Sequence, residues 1–227
     1  PGHASNEKDL PEEPSSTKDS KSSMVAPTYK IEPLESKTSK TIVIKGGLDF
    51  KKVSLTVLVK FFDRYLGKLD IPETSLDNVL EKRITKESKH PKAIIQFKTS
   101  TCATICLALA QKGIPIRDIM DDAVGSDMSA DETIYLDMVR PEEYVSQCLP
   151  PYLRIVEDKI EEVVVDNPRK ITLLVDEKST ESELIATLKT VGPVRSFQLL
   201  REIGTKQSTG IAFVEFFFDP KKHKNTF

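Results

Sequence analysis

Runs of β-branched residues alternate with segments of helical spacing between residues 41 and 139. Leu55, Leu58, Phe62 and Leu66 recur at helical intervals, and Ser54 precedes them as a candidate N-cap. Short apolar runs bounded by turn residues predict strands. The predicted strands are 41–45, 78–84, 93–97 and 133–139, and the predicted helices are 53–66 and 101–112. This βαββαβ order predicts a ferredoxin-like sandwich of the α+β class, which we call the first unit.

The same succession starts again after residue 169, in a part that we call the second unit. Its predicted strands are 171–175, 196–203 and 211–218, and a helix is predicted at 181–189. A second helix and a fourth strand have no counterpart before Phe227. The sequence therefore predicts a second unit that is truncated before both of these elements.

Composition divides the chain into four parts. Residues 1–38 are rich in Pro, Ser, Glu and Lys, and such a segment buries too little apolar surface to offset the entropy of ordering, so it is predicted to be disordered. The first unit is assigned to 39–140, a proline-containing linker to 141–169, and the second unit to 170–227. Within the first unit, the acidic segment 118–132 is predicted to be a poorly structured insertion.

Composition also excludes several classes of function. The formal net charge of −2 gives no global attraction to a polyanion, so any basic surface must be local. The cysteines lack a Cys-x-x-Cys spacing and the histidines lie far apart, which argues against a metal site; Cys102 and Cys106 are predicted to be small buried thiols. The sequence has no phosphate-binding glycine loop and no nucleophile elbow, so neither a cofactor nor an enzymatic activity is expected.

The segment Thr209–Phe216 is almost the RNP-1 octamer of an RNA recognition motif. As a strand, the octamer directs one set of side chains toward a core, namely Ala212, Val214 and Phe216. Ile211 and Phe213 lie on the other face, where the motif stacks nucleotide bases on aromatic rings. Because Ile211 replaces one of the two expected aromatics, Phe213 is the stacking ring that we expect to contact RNA. The alternative is that Phe213 only caps the core or packs against the missing part of its own domain.

Four segments of the two units and their connection follow the pattern of one known family: 58–63 with its paired phenylalanines, 140–144 (Arg-Pro-Glu-Glu-Tyr), 163–171 and 192–200. Through them the chain resembles the large subunit of the U2 snRNP auxiliary factor, a splicing factor with tandem RNA recognition motifs. This resemblance implies a nuclear, non-enzymatic protein that binds pyrimidine-rich single-stranded intron RNA near the branch site and 3′ splice site during early spliceosome assembly. The implied partners are pre-mRNA, the branch-point-binding protein and other early spliceosome components. The departures from the family suggest a diverged, fungal member.

The resemblance also places candidate RNA-binding side chains. The stacking positions hold Val43, Lys92 and Ile94 in the first unit, and Thr172, Ile211 and Phe213 in the second. Gln198 occupies a position where the family uses an amide beside a base. The basic candidates, which would neutralise phosphates, are Lys45, Lys82, Arg83, Lys86, Lys89 and Lys92 in the first unit, Lys170, Arg195, Arg201 and Lys206 in the second, and Arg140 between them. A solvated turn explains the loop lysines equally well.

The missing aromatics leave two functional hypotheses open. The leading one is an RNA-binding module that binds more weakly than its relatives, since each lost stacking ring removes about 1–3 kcal/mol. The other is a protein-interaction platform in a splicing complex, in which degenerate motifs bind protein partners rather than RNA. The apolar positions Val43 and Ile94 on the sheet of the first unit favour the second hypothesis.

Overall fold

An antiparallel sheet covered on one face by two helices forms the first unit. In chain order its elements are β1 (Thr41–Gly46), α1 (Leu55–Gly67), β2 (Val79–Thr85), β3 (Lys92–Phe97), α2 (Ser100–Lys112), β4 (Ile114–Pro115), α3 (Ile116–Met120), β5 (Thr133–Ile134) and β6 (Asp137–Val139). The strand order of the main sheet is β2-β3-β1-β6, and every neighbouring pair is antiparallel. This topology is the ferredoxin-like α+β sandwich that the sequence predicts.

The computed structural model describes residues 35–47, 49, 53–72, 74–75, 77–85, 91–120, 132–145, 159–162, 164, 166–167 and 169–217. All of them belong to one compact body, Glu32–Phe227. Most of the segment predicted to be disordered, most of the acidic insertion, and the candidates Lys86 and Lys89 lie outside the described residues. The end of the predicted disordered segment contributes to a turn at 37–40, where the Lys40 N–H donates to the Ser36 carbonyl at 3.3 Å.

Local sequence sets the ends of both long helices in the first unit. The Ser54 hydroxyl accepts from the Val57 N–H at 3.3 Å, and the Thr99 hydroxyl accepts from the Cys102 N–H at 3.2 Å, so both residues are N-caps. At the other end of α2, Gly113 has a φ of 90°. That conformation favours glycine and stops the helix at Lys112.

The segment predicted as one fourth strand, 133–139, is in fact two strands. β5 pairs with β4, whereas β6 pairs with β1 after a register shift between Ile44 and Gly46. Gly47 has a φ of +81°, and a Cβ on this residue would lie 2.1 Å from the carbonyl oxygen of Tyr135. This close backbone approach interrupts the ladder between the two pieces. A second correction concerns the acidic insertion, whose first residues form the end of helix α3 rather than unstructured chain.

The second unit contains β7 (Lys170–Leu174), α4 (Glu181–Val191), β8 (Val194–Arg201) and β9 (Ser208–Phe216). Its strand order, β7-β9-β8, is antiparallel throughout and places the octamer in the central strand. A capping box begins α4, in which the Thr180 hydroxyl accepts from the Glu183 N–H and the Glu183 carboxylate accepts from the Thr180 N–H. Each element lies within three residues of its predicted bounds, and the largest difference is the start of β9 at Ser208.

Helix α2 is buried on almost every side. Apart from Lys112 at its end, its sequence Ser-Thr-Cys-Ala-Thr-Ile-Cys-Leu-Ala-Leu-Ala-Gln-Lys has no charged residue, and Cys102 and Cys106 are fully buried as predicted. A helix at the surface of a protein normally keeps a polar face. Here the inner side of α2 packs on the sheet of the first unit, and its outer side packs against β9 of the second unit. Among the described helices, none is long and apolar enough to span a membrane.

Candidate nucleic-acid interface

The two faces of the octamer pack in different hydrophobic clusters. Ala212 and Val214 are fully buried with Phe197, beneath the apolar side chains of α4, so the predicted core-facing side is confirmed. On the other face, Ile211 and Phe213 were expected to meet solvent or a ligand. They are 0% and 3% exposed, and they belong to the same cluster as the side chains of α1 and α2. The first unit therefore covers the predicted stacking face of the second unit.

Backbone hydrogen bonds fix this contact beside the octamer. Leu69, just after α1, and Glu202, just after β8, form an isolated antiparallel bridge. On either side of this bridge, the Asp70 N–H donates to the Arg201 carbonyl at 2.9 Å and the Ile203 N–H donates to the Lys68 carbonyl at 2.7 Å. The two units are thus joined by main-chain pairing as well as by apolar packing.

Lys112, at the end of α2, reaches the octamer directly. Its ammonium donates to the Thr209 carbonyl at 2.6 Å and forms an ion pair with Glu177 at 2.7 Å. Gly210 makes room for it, because a Cβ there would lie 3.1 Å from the Lys112 Nζ and its φ of +76° favours glycine. Glycine at this octamer position therefore serves the contact between the units.

A buried charged cluster closes the other end of the contact. The Asp166 carboxylate forms ion pairs with Lys170 at 2.5 Å and with Arg140 at 3.2 Å, and it accepts from the Tyr144 hydroxyl. Burial lowers the pKa of both Arg140 and Lys170. Burial also tends to raise the pKa of Asp166, but the charge and hydrogen bonds of its partners outweigh this and lower it. The Lys170 ammonium also lies 5.3 Å from the centre of the Phe213 ring.

The remaining candidates of the second unit are also engaged within the protein. Arg195 pairs with the buried Glu215 of the octamer at 2.7 Å, and Gln198 accepts from the Val164 N–H at 3.4 Å. Thr172 is half-buried directly opposite Phe213. The other two basic candidates form more exposed ion pairs, Arg201 with Glu181 at 3.1 Å and Lys206 with Asp70 at 2.5 Å.

Apolar burial sets the strength of this closure. Leu200, Ile211 and Phe213 are each at most 3% exposed. Burying a side chain of this size is worth about 1.5–3 kcal/mol, whereas a base stacked on one aromatic ring contributes about 1–3 kcal/mol. Stacking on Phe213 alone therefore does not offset the cost of separating the units. The expectation that Phe213 and Ile211 face solvent is wrong, because an apolar helix lies where the solvent was expected.

The sheet of the first unit presents a different picture, since its outer face is accessible. Val43 of β1 lies between Ile94 of β3 and Val139 of β6, and all three are half-exposed. We call this face the open sheet; it is lined by Thr41, Val43, Lys45, Glu81, Arg83, Lys92, Ile94, Gln96 and Val139. We call Val43, Ile94 and Val139 at its centre the aliphatic row. Val43 and Ile94 stand where an RNA recognition motif has aromatic stacking residues, as the sequence indicates.

Basic side chains border the open sheet. Lys45, Arg83 and Lys92 are exposed on this face, and none of them forms an ion pair within the described part of the chain. Lys82 is also exposed, but it pairs with the buried Ile95 and so lies on the opposite side of β2. The structure thus brings three of the predicted cations together and separates Lys82 from them.

Sequence reasoning missed the contact between the units. Its signal is the composition of α2, which lacks the polar face of a surface helix. A second signal is Leu200, an apolar residue on the outer face of β8 that is 1% exposed. Neither signal says which surface covers the helix. No group of residues suited to hold a metal ion occurs among those described.

Most of the second unit matches an RNA recognition motif in sequence. The RNA recognition motif family model matches residues 174–218, which include α4, β8 and the octamer. The first unit shares the fold through its own βαββαβ topology. No curated protein matches the chain.

Solved structures of tandem RNA recognition motifs are similar to this chain. The first two such domains of yeast poly(U)-binding protein are 14% identical over 81% of this chain and 86% of that chain, with a TM-score of 0.24. Domains 1 and 2 of Sex-lethal from Drosophila melanogaster are 16% identical over 78% and 85%, with a TM-score of 0.26. At these values the similarity says nothing about the ligand of this chain or the arrangement of its units.

Proposed function

We propose that the chain binds single-stranded RNA through the open sheet of the first unit. The observation that carries this proposal is the contrast between the two sheets. The sheet that bears the octamer is closed by α1 and α2, whereas the open sheet offers an accessible aliphatic row beside Lys45, Arg83 and Lys92. Backbone phosphates bind to such cations. Bases pack on the aliphatic row as well, although each base binds there more weakly than it would on an aromatic ring.

The biological setting of this proposal comes from the resemblance to the splicing factor. We propose that the RNA is pyrimidine-rich intron sequence near the branch site and 3′ splice site. The chain would act in the nucleus during early spliceosome assembly, beside the branch-point-binding protein. The matched motif at 174–218 supports the RNA-binding class, and the segments at 140–144 and 163–171 support the splicing assignment.

Fluorescence anisotropy with uridine-rich and purine-rich oligonucleotides tests the surface and the preference together. The double variant Arg83→Glu and Lys92→Glu is expected to weaken binding and to reduce the slope of log K against log salt by about 1.4, at about 0.7 per lost phosphate contact. Lys189→Glu is the matched control, because Lys189 is exposed on α4, away from the open sheet. Equal losses in both variants, or equal affinity for the two RNA types, would contradict the proposal.

A protein-interaction platform is the second candidate, and the aliphatic row favours it. Val43, Ile94 and Val139 form a continuous apolar strip without an aromatic ring, which is suited to a helix of a protein partner. NMR spectra of the methyl groups of this strip distinguish the candidates. Shifts on adding RNA support the first, and shifts that occur only on adding the branch-point-binding protein support the second.

A further inference from the structure

A small notch opens at one end of the open sheet. Its volume is about 50 Å³, and it is lined by Lys37, Thr41, Glu81, Arg83, Ile94 and Gln96. Gln96 of β3 pairs with Thr41 on one side and with Glu81 on the other, so three strands contribute one row of polar side chains. The Thr41 hydroxyl donates to the Lys37 carbonyl at 2.7 Å, which fastens the preceding turn against the notch.

The size of the notch limits what it can hold. A cavity of about 10–15 Å³ already holds one water molecule, so the volume of about 50 Å³ suits the polar edge of a base. The ring itself would lie over Ile94 and Val43, which are neighbours across β3 and β1. Arg83 of β2 lies directly opposite Ile94 of β3, so its guanidinium would neutralise the phosphate of the same nucleotide.

The polar groups of the notch have unused hydrogen-bonding capacity. Neither the Glu81 carboxylate nor the Gln96 amide has a hydrogen-bonding partner in the part of the chain that the structure describes. A carboxylate only accepts hydrogen bonds, whereas an amide side chain both donates and accepts. The complementary base edge has an amino group for Glu81 next to a ring nitrogen that accepts from Gln96.

We propose that this notch binds the edge of one base in the RNA and selects cytosine over uracil. Cytosine carries N4–H₂ beside N3, which match Glu81 and Gln96, and carboxylates pair with cytosine N4 in base recognition. Uracil carries the O4 carbonyl instead, whose lone pairs face the Glu81 carboxylate. The inference deepens the proposed function and rests on it, because it requires RNA on the open sheet.

Anisotropy titrations with a nine-residue oligouridine and its nine single-cytosine variants test the notch. One cytosine position is expected to bind about fivefold or more tightly than oligouridine, since one such contact discriminates by about 1 kcal/mol or more. Glu81→Gln is expected to remove this difference, because glutamine also donates to uracil O4. Asp137→Asn is the matched control, since Asp137 is an exposed carboxylate on β6, at the opposite edge of the sheet from Glu81 on β2.

The outcomes separate the notch from the proposed function. Binding of oligouridine without any cytosine preference overturns the notch and leaves RNA binding by the open sheet intact. A cytosine preference that survives Glu81→Gln, or that is lost equally in Asp137→Asn, also overturns the notch. Failure of every oligonucleotide to bind overturns the proposed function and the notch with it.

Discussion

Replacing Phe213 by alanine separates a structural role of the ring from a role in RNA stacking. The ring is 3% exposed and packs in the cluster that α1 and α2 share with the second unit. Its removal leaves a cavity, and Phe→Ala substitutions in such places cost about 3–5 kcal/mol. We therefore expect Phe213→Ala to lower the free energy of unfolding by this amount, while the folded variant keeps its affinity for RNA. Urea denaturation followed by circular dichroism measures the first quantity, and anisotropy under folding conditions measures the second.

Ile94→Ala is the matched comparison for this experiment. Ile94 is half-exposed on the open sheet, so its truncation is expected to weaken RNA binding and to change stability less than Phe213→Ala does. If Phe213 instead stacked on a base, its loss would remove about 1–3 kcal/mol of binding energy with little effect on unfolding. A Phe213→Ala variant that is as stable as the parent protein but binds RNA tenfold more weakly would refute the closed arrangement.

Three further substitutions test the contact between the units. Gly210→Ala is expected to lower stability by about 1–2 kcal/mol in thermal denaturation, because the residue has a φ of +76°. The pair Leu69→Cys and Glu202→Cys replaces two residues of an antiparallel bridge, where the usual distance between Cα atoms suits a disulfide. The oxidised protein is expected to melt at a higher temperature than the reduced one and to bind RNA equally well. Weaker binding after oxidation would show that RNA requires the units to separate. The pKa of Asp166 is lowered in the folded protein. The carboxylate therefore contributes its full stabilisation above the unfolded pKa of about 4, and this contribution is lost as the pH falls below that value. Denaturation curves between pH 6 and 2.5 should show the loss of stability, and the loss should be smaller in Asp166→Asn.

Local sequence features predict the elements of both units well. Ser54 begins α1 and Gly113 ends α2, and both caps depend only on neighbouring residues. The alternation of the octamer correctly assigns Val214 to the core of the second unit. The break between β5 and β6 was missed because it depends on a contact between Gly47 and the Tyr135 carbonyl, which are far apart in sequence.

Alternation in a strand identifies the side on which a residue lies but not what covers that side. Phe213 lies opposite the core of its own unit, as predicted, yet the space beyond it is occupied by α2. The same limit applies to the cations. The sequence predicts that Lys170 and Arg195 neutralise phosphates, but their acidic partners, Asp166 and Glu215, can be assigned only once the fold has placed them together.

The position of α2 between two sheets also bears on how the protein folds. A fragment that ended before β7 would expose the outer side of α2 to water, and a fragment that began at β7 would expose Leu200, Ile211 and Phe213. Either half would then carry an apolar surface that promotes self-association. We expect the two units to unfold in one cooperative transition rather than as independent modules.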